Sequence, residues 1–101
     1  MSENRQHPRK AIATEVGFQI GDGPRTEARC RDVSLGGMFI ETATPVPYGT
    51  PVRIYARLPD MPGEALIEAI VRWAKPDGMG VQFGRMGARE THGLTVLLGG
   101  T

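Results

Sequence analysis

From Ile12 onward apolar and polar positions alternate. Ile12, Thr14, Val16, Phe18 and Ile20 share one parity; Ala13, Glu15, Gly17 and Gln19 share the other. Successive strand side chains point to opposite faces, so this pattern predicts a half-buried strand with the first set inward. Gly21-Asp22-Gly23-Pro24 is turn chemistry. Thr26, Ala28 and Cys30 then alternate with Glu27, Arg29 and Arg31, predicting a second strand. Residues 32–37, with two glycines, interrupt the pattern, and 38–41 read as a short third strand. After the Pro-rich loop 44–49, Val52, Ile54, Ala56 and Leu58 alternate with Arg53, Tyr55 and Arg57 as a fourth. Residues 59–63 turn the chain. A longer fifth strand over 64–74 is apolar on much of both faces, through Ala65, Ile67, Val71 and Trp73 and also Leu66 and Ile70. Lys75-Pro76-Asp77-Gly78 is another turn, and Met79, Val81 and Phe83 alternate with Gly80 and Gln82 in a sixth strand. Residues 88–98 fit one short helix burying Leu94, Leu97 and Leu98, although Gly93 costs it about 1 kcal/mol relative to Ala. Six short strands with frequent turns predict a small antiparallel barrel or sandwich; a barrel also removes exposed sheet edges.

Composition narrows this further. A chain of 101 residues suits one domain. Gly (14) plus Pro (8) gives 22 of 101 residues, against an average near 12%, which argues against a helix bundle. Twelve Lys+Arg less eleven Asp+Glu leaves +1, neither a basic nucleic-acid coat nor an acidic tail. The 40% hydrophobic fraction fits a folded chain. The one cysteine, Cys30, has no internal disulfide partner, and no Cys/His cluster has zinc-site spacing. Residues 1–10 are polar, without a signal-peptide core, and no segment approaches the ~18 apolar residues of a membrane helix. The expectation is a soluble, cytoplasmic protein.

Catalysis finds little support. His7 and His92 are far apart, Ser34 has no local base or nucleophile-elbow motif, and Cys30 falls on the inward face, where a thiol is inert. The scattered carboxylates read as solvated surface charge. Two segments carry more. Arg5-Gln6-His7-Pro8-Arg9-Lys10 places three cations on six residues before the first strand, and ten of the chain's twelve basic residues are arginine. The planar guanidinium fork suits phosphate and purine edges. As a bland alternative it is a solvated arm. Arg31-Asp32-Val33-Ser34-Leu35-Gly36-Gly37 puts a carboxylate, a hydroxyl and two glycines between strands. That is either an Asx-type turn or a ligand loop, since an ionised Asp can accept both donors of a guanine N1–H/N2–H₂ edge.

Together, Arg5-x-x-x-Arg9 and Asp32-x-Ser34-x-x-Gly37 resemble the paired signature of PilZ domains, bacterial receptors for cyclic di-GMP. Gly36-Gly37-Met38-Phe39-Ile40, Val71-Arg72-Trp73 and Gly80-Val81-Gln82-Phe83 resemble that family's strands, so the likeness spans nearly the whole chain. It implies a mainly β fold, a six-stranded antiparallel barrel with a short C-terminal helix over 11–101, preceded by a flexible ligand-binding arm, 1–10. It also implies roles. Arg5 and Arg9 would take the phosphates and the Hoogsteen edge or face of guanine, Asp32 the guanine Watson–Crick edge, and Ser34 a ligand hydrogen bond. Gly37 would let the backbone pass close to the ligand. Lys10 is a further candidate phosphate contact outside the motif. Trp73 reads first as core, although on a rim it could flank a guanine. Asn4 stands where many members carry arginine, which bears on ligand stoichiometry. The resemblance implies no enzyme, metal or cofactor beyond the ligand. Its output would be a partner surface altered when the arm folds over the ligand, with partners in motility, polysaccharide export or regulation. The alternatives are a ligand-independent PilZ-like adaptor and, less favoured, a small barrel for single-stranded nucleic acid. The latter lacks the basic groove and aromatics such binding uses.

Overall fold

The alternating segments become strands, and the turn residues between them join antiparallel neighbours. The computed structural model describes residues 10–99: β1 (Lys10–Gln19), β2 (Thr26–Val33), β3 (Gly37–Glu41), β4 (Pro51–Ala56), β5 (Ala65–Lys75), β6 (Gly78–Phe83) and helix α1 (Ala88–Leu97). Every pairing is antiparallel, and the sheet closes in the order β1-β2-β3-β6-β5-β4, with β4 pairing back onto β1. The expected six-stranded barrel with a short helix is what the chain forms.

Inward parity fills the barrel. Val16, Phe18, Cys30, Ile40, Ile54, Ile67, Val71 and Met79 are buried in one cluster. Helix α1 adds Leu94, fully buried, with Leu97 and Leu98 partly buried against the same core. Gly93 looks like a helix weakness in the sequence, yet it has a packing reason. A Cβ there would lie 2.8 Å from Leu58 Cβ and 3.1 Å from the Pro59 carbonyl oxygen, so the close seat of the helix needs a residue without one.

Two sequence expectations change. Ile20, placed inward by parity, is 42% exposed because the chain leaves the ladder after Gln19 and turns through a Gly23 N–H to Ile20 carbonyl bond. The break expected from residue 32 onward begins later, since β2 continues through Asp32 and Val33. Both still pair: Asp32 with Ala11 and Phe39, Val33 with Lys10 and Met38.

On the outside, Arg25 straps the barrel. Its guanidinium lies over Gly17 and 4.7 Å from the Tyr55 ring centroid, hydrogen-bonded to Glu27 (2.7 Å) and to both Glu64 oxygens (2.8 and 2.5 Å). Hydrogen bonding from Arg25 holds the Glu64 carboxyl below its ordinary value, against a smaller opposing desolvation. A depressed carboxylate contributes stability above its unfolded pKa and loses it as pH falls through the folded one. Arg25→Leu is therefore expected to flatten the acid limb of the melting temperature below the ordinary carboxylate range. The effect should be small, because the pair is exposed. Superimposable acid limbs for variant and wild type would refute the linkage.

Candidate functional site

Three of the motif positions lie within six residues: Asp32 near the end of β2, Ser34 on the tight turn and Gly37 at the start of β3. The Ser34 N–H donates to the Gly37 carbonyl at 2.8 Å, and the Gly36 N–H donates to Ser34 Oγ at 3.1 Å. The Ser34 hydroxyl lies 3.5 Å from the Gly37 carbonyl, and the residue is only 2% exposed. Here Ser34 closes the turn, as serine commonly does through local backbone bonds. Gly37 also has a structural duty. A Cβ on it would overlap the Val81 carbonyl oxygen, so β3 and β6 can pair at this point only around a glycine.

The neighbouring surface is shaped by two bulges. Between Cys30–Ile40 and Asp32–Phe39, β2 advances two residues and β3 one, leaving Arg31 as the extra residue. Between Val71–Val81 and Trp73–Gly80, β5 advances two and β6 one, leaving Arg72 as the extra residue. A bulge re-aims side chains by breaking the period-two phase. In β2, Cys30 and Val33 are both buried while Arg31 is exposed and Asp32 half-buried between them. In β5, Val71 is buried and Arg72 and Trp73 are both exposed. Trp73 is therefore not a core residue: it is 44% exposed, because the bulge at Arg72 turns it outward.

The shifted registers line up one rung across four strands: Asp32, Phe39, Gly80 and Trp73. Trp73 stacks on Phe39, with ring centroids 5.1 Å apart and planes at 28°. It also covers Gly80, where a Cβ would overlap the indole. The Arg31 guanidinium lies 3.9 Å from the Phe39 centroid and is paired with Glu41 (3.6 Å) and Asp77 (4.0 Å). Lys75 Nζ lies 5.1 Å from the Trp73 ring. This outer face thus carries a half-buried carboxylate, a half-exposed indole and two cations, with Trp73 and Arg31 packed on Phe39. That combination suits a planar, hydrogen-bonding, anionic ligand.

Asp32, Ser34 and Gly37 are thus brought together, and register places Trp73 on the same rung as Asp32. Arg5 and Arg9 lie outside the described residues, as does the side chain of Lys10. The backbone of Lys10 pairs with Val33 and that of Ala11 with Asp32, so the described start of β1 lies beside the β2–β3 turn. Arg31, Phe39 and Lys75 were not singled out from the sequence. The run Gly37-Met38-Phe39-Ile40 carried a usable signal, because a strand apolar on consecutive positions is covered on both faces. Among the described residues no His/Cys/Asp/Glu cluster could hold a metal, and no helix is long and apolar enough to cross a membrane.

Several solved structures share this fold. The Bacillus subtilis inhibitor of motility MotI/DgrA aligns with a TM-score of 0.74 at 22% identity, over 95% of this chain and 50% of its own. The PilZ domain of CeSA from a cellulose-synthesizing bacterium aligns at 0.73 and 19%, over 91% of this chain and 96% of that one. K. pneumonia MrkH, in its complex with c-di-GMP, aligns at 0.72 and 15%, over 96% and 51% respectively. The chain thus spans about half the length of MotI/DgrA and of MrkH. No curated protein matches the sequence. The PilZ domain family model matches residues 3–98, nearly the whole length, and the chain belongs to the PilZ domain family.

Proposed function

We propose that this domain is a cyclic di-GMP receptor that reads the ligand on the outer face of β2 and β3 and passes the signal to a protein partner by contact. One observation supports the reading: Lys10, the residue after Arg9 in sequence, pairs across β1–β2 with Val33, and Ala11 with Asp32, so the described start of β1 lies beside the Asp32 half of the motif. The described complex of the related fold MrkH with c-di-GMP supports the ligand, and the name of MotI/DgrA as a motility inhibitor supports an output through a partner.

In this reading the arginines take phosphate oxygens and a guanine Hoogsteen edge or face, and Asp32 accepts from the guanine N1–H and N2–H₂. Ser34 and Gly37 hold the turn in shape, and their exposed neighbours meet the ligand. Trp73, half-open on its Phe39 base, flanks a guanine. Contact by Arg5 and Arg9 closes residues 1–10 over the nucleotide, and this closure changes the surface a partner sees. The ligand is bound and released unchanged.

Calorimetric titration with cyclic di-GMP tests the site, with cyclic GMP and GTP as controls. A charge-assisted hydrogen bond contributes about 1.5–3 kcal/mol. Arg5→Ala and Arg9→Ala are each expected to weaken binding roughly tenfold or more, and Asp32→Ala to do the same while relaxing the preference for guanine. Wild-type protein that binds no cyclic di-GMP would end the receptor reading, and unchanged affinity in both arginine variants would end the assigned site. Amide exchange across residues 4–10 is expected to slow on binding; equal exchange with and without ligand would remove the closure step.

A further inference from the structure

We propose that the outer face of β4 and β5 is an interface between two copies of this chain, related by a two-fold axis running along the strands midway between them. The outward residues of these strands form three cross-strand pairs: Pro51 with Ile70, Arg53 with Glu68, and Tyr55 with Leu66. Each pair is complementary within itself, apolar with apolar or cation with anion. A two-fold axis parallel to the strands keeps every residue at its own level and lays β4 of one copy on β5 of the other. Arg53 then faces Glu68 of the second copy and Pro51 faces its Ile70, while Leu66 meets the other copy at the level of Tyr55, whose ring carries the Arg25 guanidinium. The oppositely charged contact forms twice by symmetry, as an isologous interface requires. An in-plane axis across the strands, centred on the same residues, would instead set Arg53 on Arg53 and Glu68 on Glu68. The charge pattern therefore selects one occupant and one operator.

The surface has the composition for it. Leu66 is 49% and Ile70 36% exposed, flanking the central charges, and a groove over Pro51, Arg53, Glu68 and Ile70 gives the face relief. Tyr48, 69% exposed, extends the apolar end, since the amide of the next residue, Gly49, bonds the Val71 carbonyl of β5. Arg53 and Glu68 lie side by side without a salt bridge between them among the described residues; Arg53 reaches only the Gly21 carbonyl, at 3.3 Å. Sheets pack face to face with strands aligned to within about 30°, which this operator permits. In the barrel order the β4–β5 face lies opposite β2–β3, so dimerisation leaves the Asp32 turn accessible.

Sedimentation velocity over a concentration series tests the interface. Wild type is expected to show a reversible monomer–dimer equilibrium. Arg53→Glu and Glu68→Arg, each creating two like-charge contacts per dimer, are expected to weaken it by roughly a hundredfold. Mixing the two variants restores opposite charges across the axis, and the mixture is expected to dimerise like wild type. Both substitutions are on the surface, and matching circular dichroism excludes misfolding as the cause. A wild type that stays monomeric throughout overturns the proposal, as do single variants that dimerise normally or a mixture that does not recover.

Discussion

Gly37→Ala is expected to cost about 3 kcal/mol of folding stability, in the upper range for an overpacked site. The added Cβ overlaps the carbonyl oxygen of Val81, and the atoms just beyond it are also backbone, the Val81 carbonyl carbon and Gln82 Cα, at 3.2 and 3.3 Å. No side chain can rotate away, so β3 and β6 must separate where Gly37 pairs with Gln82. The Phe83 N–H to Gly36 carbonyl bond, 2.8 Å, lies beside this site and would be strained with it. Gly17→Ala is the control. A Cβ there also overlaps a neighbour, but that neighbour is the Arg25 guanidinium, the far end of an exposed side chain that can swing aside. In urea, the midpoint for Gly37→Ala is expected to fall sharply at unchanged m-value, while Gly17→Ala shifts only slightly. Equal midpoints for the two variants would mean that the β3–β6 approach is not what glycine serves at position 37.

Glycine at position 37 was expected to permit close approach of backbone to ligand. The structure shows a close approach of backbone to backbone, inside the barrel wall. Ser34 is similar, since its hydroxyl closes the turn. Loss of ligand binding in a Gly37 or Ser34 variant therefore reports the shape of the turn as much as contact.

Alternation made most of the barrel legible. Wherever one face is buried and the other solvated, period two survives, as in Val52, Ile54 and Ala56 of β4. It failed at Trp73 for a definite reason. Parity continued from Ala65, Ile67, Ala69 and Val71 puts Trp73 inside, but the bulge at Arg72 inserts one residue and reverses the phase. Nothing in the residue types announces that bulge; beyond it Trp73 pairs with Gly80, whose missing Cβ leaves room for the indole. The bulge at Arg31 likewise hid the outward pairing of Asp32 with Phe39. The motif halves were legible as residues and spacing, whereas the platform between them depends on register across four strands, which a linear pattern does not contain.

Phe39→Ala tests that platform, and about 3 kcal/mol of stability is expected to go with it, near the lower end for deletion of a buried aromatic. Phe39 faces outward from β3, yet only 1% of it is exposed. It is covered by Trp73 stacked at 5.1 Å, by the Arg31 guanidinium at 3.9 Å, and by the close backbone at Gly78, where a Cβ would overlap the Phe39 ring. The cost should not reach the core maximum, because Trp73 is already part-exposed and can settle into the vacancy. Trp73 is the chain's one tryptophan, so its fluorescence reports the change directly. Loss of the Phe39 ring is expected to shift the emission to longer wavelength or alter its intensity, while Phe39→Leu retains apolar cover and stays nearer wild type in both stability and emission. Binding separates support from contact. If Phe39 acts by holding Trp73 and Arg31 beside Asp32, Phe39→Ala should weaken cyclic di-GMP binding although Phe39 itself is shielded from solvent, and Trp73→Ala should weaken it with a smaller loss of stability. A Phe39→Ala protein with wild-type melting, wild-type emission and wild-type affinity would show that the aromatic stack neither braces this face nor shapes the site.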